Sequence, residues 1–139
     1  MKRLILLALV LCGVALASCE KEEQKHESYF VLDFSAHVVD EAGEPIQGIY
    51  AYPEPNAFYG RTGYSDYQGM ISGFVHLHPN EIRNIVFEDV DGEYNGGVYE
   101  TVTLNLREKV SGLGNKPDEW GFVGSDIVHI GEVVMKLKE

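Results

Sequence analysis

Cysteine is nearly absent from this chain of 139 residues: Cys12 and Cys19 are the two that occur, both close to the start. Everything after Cys19 lacks a thiol, which excludes a cysteine nucleophile and a disulfide framework there. Cations are scarce as well, with 11 Lys and Arg against 22 Asp and Glu and a formal net charge of -11. A surface of that sign repels phosphate backbones and anionic lipid headgroups, so no nucleic-acid partner is expected. No long apolar run follows residue 18, no stretch sustains a helical apolar period, and nothing recurs at a fixed interval. Those absences argue against a spanning segment after residue 18, a helical bundle and a repeat array. The glycines at 92, 96 and 97 lie between two expected strands rather than before a helix, so they form no phosphate cradle.

What the chain does have begins with a start built for export. Lys2 and Arg3 precede an apolar run over 4–11, and Leu16, Ala17, Ser18 and Cys19 resemble a lipobox. An apolar residue and two small ones suit a peptidase cleft, and the thiol that follows accepts lipid. The expected organisation is a lipoprotein signal peptide over 1–18, a lipidated Cys19 with a charged flexible tether over 19–28, and one β-sandwich domain over 29–139. Each buried methylene of an acyl chain contributes about 0.8 kcal/mol, so several chains make an anchored rather than a spanning protein. Loss of the two cations Lys2 and Arg3 with the signal would take the formal charge from -11 to -13. Lys21, Glu22 and Glu23 resemble the lysine-plus-acid signal that sends Bacteroidetes lipoproteins to the outer cell surface. The expected address is the outer membrane, on its periplasmic or its surface-exposed side.

From Tyr29 the chain alternates. Phe30, Leu32, Phe34, Ala36 and Val38 share one side of an extended segment, and Asp33, Ser35 and His37 share the other, as a half-buried strand requires. A turn over 40–45, strands over 46–52, 70–78, 85–89 and 98–106, a bend or helical turn over 80–84, a long loop over 112–124 and a closing strand over 127–138 follow. Short strands separated by turn residues predict an all-β fold: an antiparallel sandwich of about seven strands, transthyretin-like or immunoglobulin-like.

Val39, Asp40, Gly43, Pro45, Ile46, Gly48 and Ile49, with a later Thr62, Asp66 and Gly69, resemble the start of the transthyretin-like or carboxypeptidase-regulatory sandwich of many Bacteroidetes surface proteins. The stretch Asp89, Val90, Asp91, Gly92, Glu93, Tyr94, Asn95, Gly96, Gly97 is the most distinctive. With the lipobox, the small size and the sandwich-like first half, it resembles the lipoproteins encoded beside radical SAM enzymes in Bacteroidetes. That resemblance implies an envelope address, a sandwich fold and a radical SAM enzyme as a partner.

Three oxygen-bearing side chains, Asp89, Asp91 and Asn95, fall within seven residues among glycines, a composition that suits calcium. Glu93 stands where an EF-hand would place its next ligand two residues after Asp91, and no bidentate Glu follows at the required distance. The competing reading is a connection in which Asp and Asn bond their own backbone. His76 and His78, two apart on a strand, point to one face, but two ligands do not make a zinc site. Ser72, His76 and Asp66 could be written as a triad without the nucleophile-elbow context one needs. Paired carboxylates such as Asp89 and Asp91 are commonplace in so acidic a chain, and no enzyme is expected. Among the aromatics, Tyr59, Tyr64 and Tyr67 lie in a region of weak alternation and suit a sugar-binding or protein-binding surface. Trp120 either plugs an open end of the sandwich or stands exposed as a contact, and packing into the core is the expected outcome. The functional expectation is a lipid-anchored, noncatalytic binding or structural module working with a radical SAM enzyme. Its alternatives are a peptide substrate modified by that enzyme, and a glycan-binding surface module.

Overall fold

A computed structural model describes residues 26–139. The expected signal peptide, the expected lipidation site Cys19 and the expected tether as far as residue 25 lie outside the described residues. Seven strands form two sheets: β1 (Tyr29–Val39), β2 (Ile49–Glu54), β3 (Tyr59–Arg61), β4 (Met70–Leu77), β5 (Asn84–Asp89), β6 (Val102–Asn105) and β7 (Phe122–Val134). One sheet runs β3-β4-β1-β7 and the other β2-β5-β6. No α-helix occurs among the described residues, only single 3-10 turns at Pro79–Glu81, Tyr94–Gly96 and Arg107–Lys109. No helix among them is long and apolar enough to cross a membrane.

The alternation of β1 decides the layering. Phe30, Leu32, Phe34, Ala36 and Val38 are at most 3% exposed and face the second sheet, where they meet Ile49, Ala51, Ile85 and Phe87. Each Phe, Leu, Ile or Val among them contributes about 1.5–3 kcal/mol when fully buried, so this seam is the main force holding the two sheets together. β1 is the centre of its sheet, antiparallel to β4 on one side and parallel to β7 on the other. The pairing with β7 departs from an all-antiparallel sandwich; the other strand pairs among the described residues are antiparallel. Several boundaries also differ from expectation: β2 runs over Ile49–Glu54 rather than 46–52, and β7 ends at Val134 rather than 138. β7 starts at Phe122 rather than 127, and the expected strand over 98–106 shortens to β6 with an isolated bridge between Tyr99 and Leu137.

Some of the acidity is structural. Asp40, Asp66 and Asp118 each accept backbone N–H bonds from the residues two and four positions ahead, at 2.8–2.9 Å. These carboxylates replace backbone partners in tight turns, which is why Asp recurs at strand connections. Gly73 is demanded by the sheet itself, because a Cβ there would fall 2.5 Å from the Arg61 backbone carbonyl and 2.8 Å from the Phe34 ring.

Candidate functional site

The face of the four-stranded sheet turned away from the core carries the most varied chemistry. Register arranges it in rows across the strands. Arg61, Phe74, Asp33 and Ile127 stand side by side, as do Ser72, Ser35 and His129 in the next row and Tyr59, His76, Val31 and Ser125 on the opposite flank. Residues paired across strands share a face, so each row presents its side chains together. The first two rows floor an open groove of about 770 Å³, with Tyr64, Asp66 and Met70 at its sides. Ser35 Oγ and His129 Nδ1 are 2.9 Å apart, a hydrogen bond across the parallel β1–β7 pair.

Rings gather at one end of the same face. Tyr29 stacks on His76 with centroids 5.2 Å apart, Tyr59 lies 4.9 Å from His76, and Phe58 stacks on His78 at 4.6 Å. Phe122 joins through Tyr29 at 5.7 Å. His78 Nδ1 faces the Ser28 carbonyl at 3.2 Å and its Nε2 lies 3.6 Å from the Glu27 carboxylate, which ties the ring to the start of β1. His76 and His78 do share a face, yet no group of three or more His, Cys, Asp or Glu among the described residues is placed to hold a metal ion. Ser72 and His76 are four residues apart on one strand, about 13 Å at the strand rise, too far for the hydrogen bond that a triad needs.

The four aromatic residues singled out in the sequence occupy separate places. Tyr59 belongs to the ring cluster. Tyr64 borders the groove and packs on Tyr50 at 5.1 Å, and Tyr50 in turn packs on Tyr52 at the outer face of the three-stranded sheet. Tyr67 is 74% exposed on the turn before β4 and contacts no other ring among the described residues. Trp120 corrects the expectation of core packing: it is 64% exposed and lies against His26, 5.7 Å between centroids. The Asp118 carboxylate causes this. By holding the amides of Trp120 and Phe122 it forms a tight turn at whose bend Trp120 stands outside the sandwich.

In the Asp and Gly loop, the Asp89 carboxylate accepts the Asp91 amide at 3.2 Å and the Tyr99 amide at 2.9 Å, one on each oxygen. Asn95, in the left-handed region at φ 58, donates its side-chain amide to Asp91. The loop packs over Gly48, where a Cβ would strike the Asp91 carboxylate and the Asn95 amide. Asp89 and Asp91 thus already carry donors, and a cation would have to displace them. Elsewhere, Tyr52 donates to Glu88 at 3.0 Å, and that hydrogen bond to a carboxylate, with some burial, raises the phenol above its ordinary pKa. Burial, then the nearby charges of Asp40 and Asp89, raises Tyr99. Ser111 donates its backbone and side-chain hydrogens to Asp126 at 2.6 and 3.0 Å and holds that carboxyl below the ordinary aspartate value.

Sequence reasoning missed Arg61, Phe74 and the Ser35–His129 pair. The wet side of β1 was a usable signal for Ser35, but its partners depend on a parallel register that alternation does not encode. The fold defines the class, a small all-β protein of two packed sheets. No family model, no curated protein and no solved structure matches the chain.

Proposed function

We propose that this protein is a lipid-anchored, noncatalytic binding module of the bacterial envelope whose ligand lies in the groove of the four-stranded sheet. The observation that carries the proposal is the row structure of that face: Arg61, Phe74 and Asp33 adjoin Ser72, Ser35 and His129 around an open volume of about 770 Å³. A ring with flanking charged and hydroxyl groups suits a hydroxyl-rich ligand, and a glycan offers both apolar faces and hydroxyl edges to match. The noncatalytic reading is supported by the setting of the Ser35–His129 pair. Among the described residues no carboxylate is hydrogen-bonded to His129 to orient it, and the groove is open to water, where oxyanion stabilisation is weak.

The lipobox at Leu16, Ala17, Ser18 and Cys19 supports the anchor, and Lys21, Glu22 and Glu23 support export to the outer membrane surface. The likeness to lipoproteins encoded beside radical SAM enzymes supports such an enzyme as the working partner. Binding to a panel of immobilised oligosaccharides tests the ligand class. Arg61→Ala and Phe74→Ala are each expected to weaken binding about tenfold, equivalent to about 1.4 kcal/mol. Tyr94→Ala, on the remote Asp and Gly loop, leaves binding unchanged. Binding that survives both groove substitutions, or that no oligosaccharide supports, overturns the glycan reading.

A further inference from the structure

The ring cluster lies at the end of the sandwich from which the chain leads back to Cys19. Tyr29 opens β1 and sits among Phe58, His76 and Phe122, while Phe58, Tyr59 and Trp120 are 52%, 61% and 64% exposed. Between Cys19 and His26 lie only residues 20–25. Seven Cα steps reach at most about 25 Å even when fully extended. A lipid on Cys19 therefore keeps this end of the domain within about 25 Å of the headgroups.

We propose that the exposed rings of Phe58, Tyr59 and Trp120 dock into the headgroup layer of the bilayer that carries the anchor, and so fix the orientation of the domain. The inference rests on the lipidation of Cys19. Tyrosine and tryptophan have an apolar body and a polar edge, which suits the boundary between headgroups and acyl chains. The charges around the rings choose the lipid. Glu27, Asp118 and Glu119 stand beside them in a chain of net charge -11, so the surface suits zwitterionic headgroups and repels anionic ones. Docking at this end leaves the far row of the groove clear, because Ser72 lies four residues along β4 from His76, about 13 Å at the strand rise, whereas the row of Phe74 adjoins the rings, 6.3 Å from Tyr59.

Trp120 is the single tryptophan of the chain, so its fluorescence reports on this surface alone. The full-length lipidated protein is reconstituted into vesicles of equal parts phosphatidylcholine and phosphatidylethanolamine, with the phosphatidylcholine either plain or brominated near the top of its acyl chains. Docking predicts that emission in brominated vesicles falls to about half or less of that in plain ones, as for an indole at the interface. The double variant F58S/Y59S should lose most of that quenching while still floating with the vesicles. Equal emission in both vesicles, from protein that floats with them, overturns the docking. Protein whose mass shows no acyl chains, or which fails to float, overturns the anchor and the docking with it, through a separate readout.

Discussion

Phe34 of β1 lies directly opposite Gly73 of β4, and its ring stands where a side chain at 73 would have to go. The contact fixes the spacing of the two strands beneath the groove, since Ser35 and Ser72, one residue further along, face outward from the same pair. Gly73→Ala is expected to cost about 1–3 kcal/mol, the usual penalty for forcing extra volume into a packed core. Gly63→Ala is the control, because nothing lies within 4 Å of its would-be Cβ; it should stay within about 0.5 kcal/mol of the parent. Urea melts of the two variants make the comparison, and equal stability would remove the steric role given to position 73.

Ser65 is the one buried polar residue among the described residues, 3% exposed. Its hydroxyl donates to the Ile46 carbonyl at 2.7 Å and accepts the Ile49 amide at 2.9 Å. Ile46 lies three residues before β2 and Ile49 opens it, so the serine joins the segment before β4 to the entry of the other sheet. Ser65→Ala leaves a buried donor and acceptor unpaired and should lower stability by about 1–3 kcal/mol in denaturant melts. A change near zero would mean that water reaches these groups.

Calcium and the Asp89 loop can be separated in one melting series. With the Asp89 oxygens accepting the Asp91 and Tyr99 amides, the loop holds itself, and the midpoint should be the same in millimolar calcium and in chelator. A ligand that binds only the native state raises apparent stability, so a clear upward shift with calcium would show that the cation displaces those bonds. Asp89→Ala should lower stability by about 1–3 kcal/mol with or without calcium, because the Tyr99 amide loses a charged acceptor.

Asp126 sets a pH dependence of known sign. Its native pKa lies below the ordinary aspartate value of 3.8 because Ser111 donates two hydrogen bonds to the charged form. The stabilisation is therefore complete above the unfolded pKa and is lost as pH falls from about 3.8 through the native midpoint. Carboxyl carbon shifts followed by NMR should place the Asp126 midpoint below 3.8. Ser111→Ala removes the hydroxyl donor but keeps the amide, so the midpoint should move part of the way back; no movement would exclude the hydroxyl as a cause.

How much of this was readable in the sequence varies by element. β1 announces itself because a half-buried strand writes its alternation into the chain, as in Phe30, Leu32 and Phe34, whereas β5 shows as a short apolar run, Ile85, Val86 and Phe87. β3 does not, since Tyr59, Gly60 and Arg61 are all exposed and an edge strand without a buried side has no alternation to show. β7 begins five residues early because Gly121 and Gly124 look like loop residues, and its direction relative to β1 is carried by tertiary packing. The oxygen-rich composition of Asp89, Asp91 and Asn95 was visible, but not the destination of their hydrogen bonds, which depends on Tyr99 returning beside Asp89. The groove needed both the parallel register and the short edge strand, so its residues could not be gathered from spacing alone.

Chemical-shift mapping of the full-length protein with a bound oligosaccharide tests the binding face most directly. Shifts concentrated at Ser35, Arg61, Ser72, Phe74 and His129 are the predicted result. Shifts confined to the Asp89 loop, or to Tyr50, Tyr52 and Glu88 on the outer face of the three-stranded sheet, would contradict it.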